Sequence, residues 1–131
     1  MSFRSDAETL VGKFVTDFTA AHPDISIAHD NVDFDPQGAA FVRVTVVPGQ
    51  SALVAMPGRY RNRGLLAVQI HSPRGQGAGA ALGIADDIAG FFRGFRSGDL
   101  LCRAPAVSRV GEDDAFYRVA VAIPYQSDII V

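Results

Sequence analysis

Three observations in this 131-residue chain predict an α+β fold with helices packed on one mainly antiparallel sheet. Apolar residues recur at helical spacing near the N-terminus and again after a glycine-rich stretch, and both are read as amphipathic helices. Between and after them the period switches to two, the spacing of half-buried strands. The strand-like runs are joined by short Gly, Pro and Asn punctuation rather than by crossover helices, which argues against a parallel, doubly wound sheet. The predicted order is an N-terminal helix, a three-strand antiparallel meander, a second helix and a C-terminal β-hairpin. At this length, with no linker, repeat or low-complexity tract, residues 1–131 are expected to form a single domain around one core.

In the first helix Phe3, Ala7, Leu10, Phe14 and Phe18 form the stripe, and Val11 and Val15 widen it. Ser5 and Glu8 fit a capping box, Asp6 suits the positive helix end, and Pro23 stops the element. An acidic connector, Asp24 to Pro36, follows. Val42, Val44 and Val46 then alternate with Phe41, Arg43, Thr45 and Val47 to make the first strand. Pro48-Gly49 reads as a turn, Ser51 to Ala55 as a short second strand, and Arg61-Asn62-Arg63-Gly64 as a tight connection whose Gly64 can take positive φ. A third strand runs from about Gly64 to His71, with Leu66, Val68 and Ile70 facing the core.

After the glycine-rich loop from Ser72 to Gly79, the second helix is expected from about Ala78 to Phe95. Its apolar face is Ala81, Ile84, Ala85, Ile88, Phe91, Phe92 and Phe95. Gly83, Gly90 and Gly94 each weaken it by about 1 kcal/mol relative to alanine. Such small residues permit close approach to a sheet or to a neighbouring subunit. The final hairpin joins Leu100–Val110 to Ala115–Tyr125 through Gly111-Glu112-Asp113-Asp114. The alternation of Tyr117, Val119, Val121, Ile123 and Tyr125 is the clearest strand pattern in the chain.

Composition excludes several classes. With 48% hydrophobic and 20% charged residues the chain is globular rather than disordered. No run approaches the roughly 18 apolar residues of a membrane span, and Phe3-Arg4-Ser5-Asp6 does not begin a leader pattern. The lone Cys102 excludes an intrachain disulfide framework and a multi-cysteine zinc site, and reads as a small core residue. The net charge is only -2, but the charges are segregated. Residues 1–36 hold seven acids and two bases, while residues 37–75 hold five arginines and no acid.

Candidate chemistry is sparse. Gly75-x-Gly77-x-x-Ala80 is formally a dinucleotide fingerprint, but Pro73 intervenes and the preceding strands are antiparallel. A small anion- or nucleotide-binding module using loop 72–79 is therefore the second reading. His22, His29 and His71 lack the paired spacing of zinc ligands and are expected in solvent-facing positions, and no metal or other cofactor is implied. Asp86 and Asp87 diverge by about 100° on a helix and do not converge as an acid–base pair. No nucleophile elbow or phosphate loop is present, so no enzymatic activity is expected. Eleven of the twelve basic residues are arginine, whose planar fork suits carboxylates, phosphates and interfaces. Arg59, Arg61, Arg63 and Arg74 are expected at one end of the sheet. With the acidic loop Glu112, Asp113 and Asp114, they are the candidate subunit or partner interface. The overall pI of about 5.8 disfavours a dedicated nucleic-acid binder. An acid-free basic segment beside an acidic one suits head-to-tail contacts between identical subunits.

Several local strings carry a resemblance. Asp30-Asn31-Val32-Asp33-Phe34-Asp35-Pro36 precedes the valine-rich strand; Tyr60-Arg61-x-x-Gly64-Leu65-Leu66-x-Val68 and Pro73-x-Gly75-x-Gly77 follow it. Then come Ile84-Ala85-Asp86, Phe91-Phe92 and Ile123-Pro124-Tyr125. In this order, over about residues 3 to 125, the chain resembles the small phage tail terminator proteins, also described as tail completion or minor tail proteins. The motifs are short and degenerate, so the specificity lies in order and spacing; His29-Asp30 departs from the more acidic or aromatic lead-in. The resemblance implies a structural ring, commonly of six copies, that sits on the tail tube, stops its polymerisation and presents a surface to the head or its connector. It implies as partners the chain itself, the tail tube protein and a head–tail connector protein, with DNA passing through the lumen and no membrane. It places the protein in the bacterial cytoplasm during assembly and then in a virion, a prophage-encoded or domesticated tail particle, or a gene transfer agent.

Overall fold

The computed structural model describes residues 3–29, 40–55, 58–73, 78–112 and 116–130. Among these residues two helices, α1 (Phe3–Ala21) and α2 (Ala78–Phe92), accompany seven strands. These are β1 (Ser26–His29), β2 (Phe41–Ala55), β3 (Arg59–Pro73), β4 (Arg96–Ser97), β5 (Leu100–Cys102), β6 (Ala106–Glu112) and β7 (Phe116–Ile130). The strands form one sheet in the order β1-β2-β3-β7-β5-β4, with β6 also paired to β7. The fold is α+β, as expected, but the sheet is mixed and is not a simple meander followed by a separate hairpin.

The framework is three 15-residue strands, β2, β3 and β7, with β3 antiparallel to both neighbours. Their registers align Val42 with Ile70 and Val119, Val44 with Val68 and Val121, and Val46 with Leu66 and Ile123. These residues make the inner face, and both helices lie against it. From α1 come Leu10, Phe14 and Phe18, spaced by four so that they form one ridge; α2 adds Ala81, Ala85, Ile88 and Phe92. The Phe14 and Phe18 rings stack with centroids 5.2 Å apart. Cys102 and Leu100 complete this core. Burial pushes the Cys102 thiol up to about 11, so it is a packing residue rather than a reactive one.

Five expectations are corrected. First, Ser26–His29, assigned to a connector, is a strand that pairs in parallel with Phe41–Val44. Four residues are too few to display an alternation. Second, Pro48-Gly49 is no turn and Ser51–Ala55 is no separate strand. β2 continues through a bulge between Pro48 and Ser51, tolerable because an edge strand does not require every backbone donor. Gly49 is required there because a Cβ would collide with the Arg63 carbonyl oxygen. Third, Arg61–Gly64 lies within β3, and the turn falls earlier, with Gly58 at φ 73°. Gly64 serves packing, since a Cβ there would lie 2.5 Å from the Tyr125 hydroxyl.

Fourth, α2 ends at Phe92. Gly94, at φ 74°, turns the chain in the manner of a helix C-cap, and Phe95 folds back to meet Phe92 edge-on at 6.0 Å. Gly83 and Gly90 are exposed, with nothing within 4 Å of a Cβ, so close approach within this chain does not explain them. Fifth, the segment 100–110 is two strands, β5 and β6, and β7 runs on to Ile130. The Arg103 amide donates to the Pro124 carbonyl between them, and Gly111, at φ 111°, accompanies a bulge in β6.

The start of α1 also differs from the capping-box expectation. Ser5 already lies inside the helix, where its carbonyl accepts from the Thr9 hydroxyl. Asp6 lies in the first turn, as expected, and is fully buried there. Among the described residues no helix is long and apolar enough to cross a membrane.

Candidate functional site: an arginine face on an open sheet

The helices cover only one face of the β2-β3-β7 framework, and strand alternation sends every second residue to the other face. That outer face carries Arg43 from β2, Arg59, Arg61 and Arg63 from β3, and Arg118 from β7. The register Arg96–Leu101–Gln126 adds Arg96 from β4 to the same side. Asp128 and Asp99 are the described acids beside them. The period-two spacing of Arg59, Arg61 and Arg63 is what aligns them; in a loop they would diverge.

Asp128 sits opposite Arg61 across the β3–β7 ladder. The Arg61 Nε donates to Asp128 Oδ1 at 2.9 Å, and the Arg59 Nη2 donates to Oδ2 at 2.9 Å. The Arg61 Nη2 and Arg59 Nε add donations to Oδ2 at 3.3 and 3.2 Å. The hydrogen bond from Arg61, reinforced by that from Arg59 and by both charges, holds the Asp128 carboxyl below the usual carboxylate range. The same contact holds Arg61 firmly protonated. Around this clamp, Arg59, Arg61, Arg96, Gly98, Asp99, Leu101, Gln126 and Asp128 line an open polar cavity of about 200 Å³. Arg103 donates to Gln126 Oε1 at 2.6 Å at its rim. Arg63 and Arg96 have no ion pair among the described residues.

On the opposite side of the sheet lies a small buried polar cluster. Ser127 Oγ donates to Asp6 Oδ2, which joins the first turn of α1 to the end of β7. Asp6 Oδ1 and the Tyr125 hydroxyl have no hydrogen-bond partner among the described residues. Burial raises the Asp6 pKa against the lowering effect of the Ser127 bond, and burial, reinforced by the Asp6 charge, raises that of Tyr125.

Of the residues selected from sequence, Arg59 and Arg61 converge on Asp128 and Arg63 follows on the same face. Arg74, Asp113 and Asp114 lie outside the described residues, and of Glu112 only the backbone, in β6, is described. The core of the glycine-rich loop, residues 74–77, is likewise outside them. The strand leading into that loop, β3, is antiparallel to both neighbours and so does not form the βαβ unit a dinucleotide fingerprint needs. His22 is not a lone loop histidine: its Nε2 lies 2.8 Å from Asp87 Oδ2 and its ring lies 5.1 Å from that of Phe18. His71 stacks on Phe41 with centroids 4.3 Å apart. Arg43, Arg96, Arg118 and Asp128 were missed, although Arg43 and Arg118 sit at outward positions of a legible alternation; Asp128 lies beyond Tyr125, where the expected strand ends.

The described residues form a helix-backed α+β fold whose polar features are an arginine-rich sheet face with a clamped carboxylate and a buried Asp6–Ser127 pair, the class of an α+β protein with one helix-covered and one charged sheet face. Comparison with known proteins makes this specific. A family model described as phage tail terminator protein matches residues 8–125, nearly the whole chain, and the protein belongs to that family. It is a structural family of the phage tail. No curated protein matches the sequence. A solved structure shares the fold with a TM-score of 0.69 at 22% identity, over 95% of this chain and 97% of that one.

Proposed function

We propose that this chain assembles into a ring, of six copies, that caps the end of a phage tail tube. There it halts tube polymerisation and presents the surface to which the head or its connector joins. The observation that carries this reading is the family match across residues 8–125. Supporting it, the outer face presents six arginines and the sequence adds an acidic stretch at 112–114, so one chain carries groups of both signs that head-to-tail contacts can use. Arg59 and Arg61 are largely spent on Asp128, so Arg63 and Arg96 are the residues offered to a neighbour. Mass determination in solution tests the reading: a ring-sized species is expected for the wild type, alone or with the cognate tube protein, and Arg63→Glu with Arg96→Glu lowers its population without loss of fold. A monomer under all conditions, with no engagement of tubes, overturns it.

A second reading concerns DNA in the lumen and rests on the same outer face, where six arginines face two acids. Phosphate contacts by such a face are sequence-independent and weaken steeply with salt. Binding of a generic duplex should fall as salt rises, and neutralising Arg63 and Arg96 should flatten that dependence; affinity indifferent to salt contradicts it.

A further inference from the structure

We infer that copies of this chain join edge to edge, the uncovered edge of β2 in one copy pairing with the uncovered edge of β6 in the next, so that the sheet continues from subunit to subunit. The inference rests on the ring reading above and specifies how its subunits meet.

Four observations lead to it. Along β2, the parallel strand β1 covers only Phe41–Val44, so among the described residues the outer edge of Thr45–Ala55 has no partner strand. On the far side of the framework, β6 pairs with β7 through one edge, and no described strand meets its other edge. The exposed large apolar residues of the described chain are Val47, Leu53, Val107 and Val110, at 45, 50, 40 and 46% exposure, and all four lie on these two strands. Their chemistry is that of an interface: an open strand edge is ordinarily blunted by lysines, prolines, bulges, inward charges or a covering element, and here Pro48 and its bulge interrupt the middle of the β2 edge while apolar residues stay exposed on both sides of it. Neither Val47–Leu53 nor Ala106–Gly111 carries a lysine or an acid, and Arg109 is their one charge.

Strand directions agree. β2, β3, β7 and β6 alternate in direction, so β2 and β6 of one copy are antiparallel. A rotation about an axis along the strands preserves those directions, and β2 therefore meets the neighbour's β6 as an antiparallel pair. The two edges are different surfaces on opposite sides of one sheet. The contact is heterologous, and it closes into a ring when the rotation permits. β6 has seven residues, but Pro48 divides the open β2 edge into Thr45–Val47 and Ser51–Ala55, so the shared ladder is no longer than one of these stretches. The Pro48 bulge restricts the pairing to one side of itself and so limits slippage of register.

The test uses two single-cysteine chains, Leu53→Cys and Val107→Cys, mixed and treated with a short bis-maleimide. Cys102, at 4% exposure, stays silent. A covalent dimer is expected from the mixture and not from either chain alone. In parallel, Val107→Lys with Val110→Lys is expected to shift the ring-sized species to monomer while its circular dichroism stays unchanged. If that variant misfolds, the cross-link decides alone. A wild-type ring with no cross-link and with the lysine variant still assembled overturns the edge pairing and leaves the ring reading standing. A wild-type monomer in every condition overturns both. Cross-links formed only to added tube protein assign the edges to the tube and overturn the self-pairing.

Discussion

Adding one methyl group at Gly64 isolates the packing of the β3–β7 ladder. A Cβ there would lie 2.5 Å from the Tyr125 hydroxyl oxygen, 2.6 Å from Cζ and 2.8 Å from Cε1. Non-bonded carbons prefer about 3.5–4.0 Å, so the ring must withdraw by about 1 Å. Tyr125 is 1% exposed and held within the core cluster, so it has little room. Overpacking of this kind costs about 1–3 kcal/mol. With about 2.1 cal/mol/K of unfolding entropy per residue, 131 residues give about 0.28 kcal/mol per degree, so Gly64→Ala should lower Tm by about 4–11 °C. Calorimetry of a four-member cycle with Tyr125→Leu is the assay. Leucine removes the three atoms the methyl strikes, so the double variant should be less destabilised than the sum of the singles by about 1–3 kcal/mol. Strict additivity, or no loss of Tm in Gly64→Ala, would refute the steric account. Additivity with a large loss would point instead to a backbone requirement for glycine.

Other perturbations probe separate parts. Gly83→Ala and Gly90→Ala add a methyl into open space on α2, so each should stabilise the chain by about 1 kcal/mol in thermal melts; loss of the ring-sized species in these stabilised variants would assign the glycines to a neighbouring subunit. Asp6 holds its proton more tightly in the folded state than at its ordinary value of 3.8, so stability should fall as pH rises through the interval above that value. Asp6→Asn should flatten this fall and gain about 1 kcal/mol at pH 7, read by denaturant unfolding. Asp128 is shifted the opposite way, so its contribution is present above 3.8 and lost as pH falls below it. Asp128→Asn should cost about 1 kcal/mol at pH 7, with the gap to wild type closing in acid.

The inner face was legible because its periods are uninterrupted: the Leu10, Phe14 and Phe18 ridge and the Val119, Val121 and Ile123 alternation appear in the structure as read. Local turn chemistry misled where a distant neighbour decides. Gly64 answers to Tyr125, 61 residues away, and Pro48-Gly49 answers to an edge position that only the assembled sheet defines. Asp6 lies in the first turn, as its sequence position indicates, but its burial follows from β7 bringing Ser127 to it, which only the assembled fold defines. The arginine face was half legible. Arg59, Arg61 and Arg63 already show the strand period, but the intervening Asn62 and following Gly64 suggested a loop. Arg43, Arg96 and Arg118 join them only through strand pairing.

The central claim is that this domain terminates a tail tube, and the length of tubes grown from the cognate tube protein measures it most directly. With this chain present, electron microscopy should show tubes that stop elongating and carry a ring at one end. Tubes that grow to the same lengths with and without the chain, their ends bare, would contradict the account.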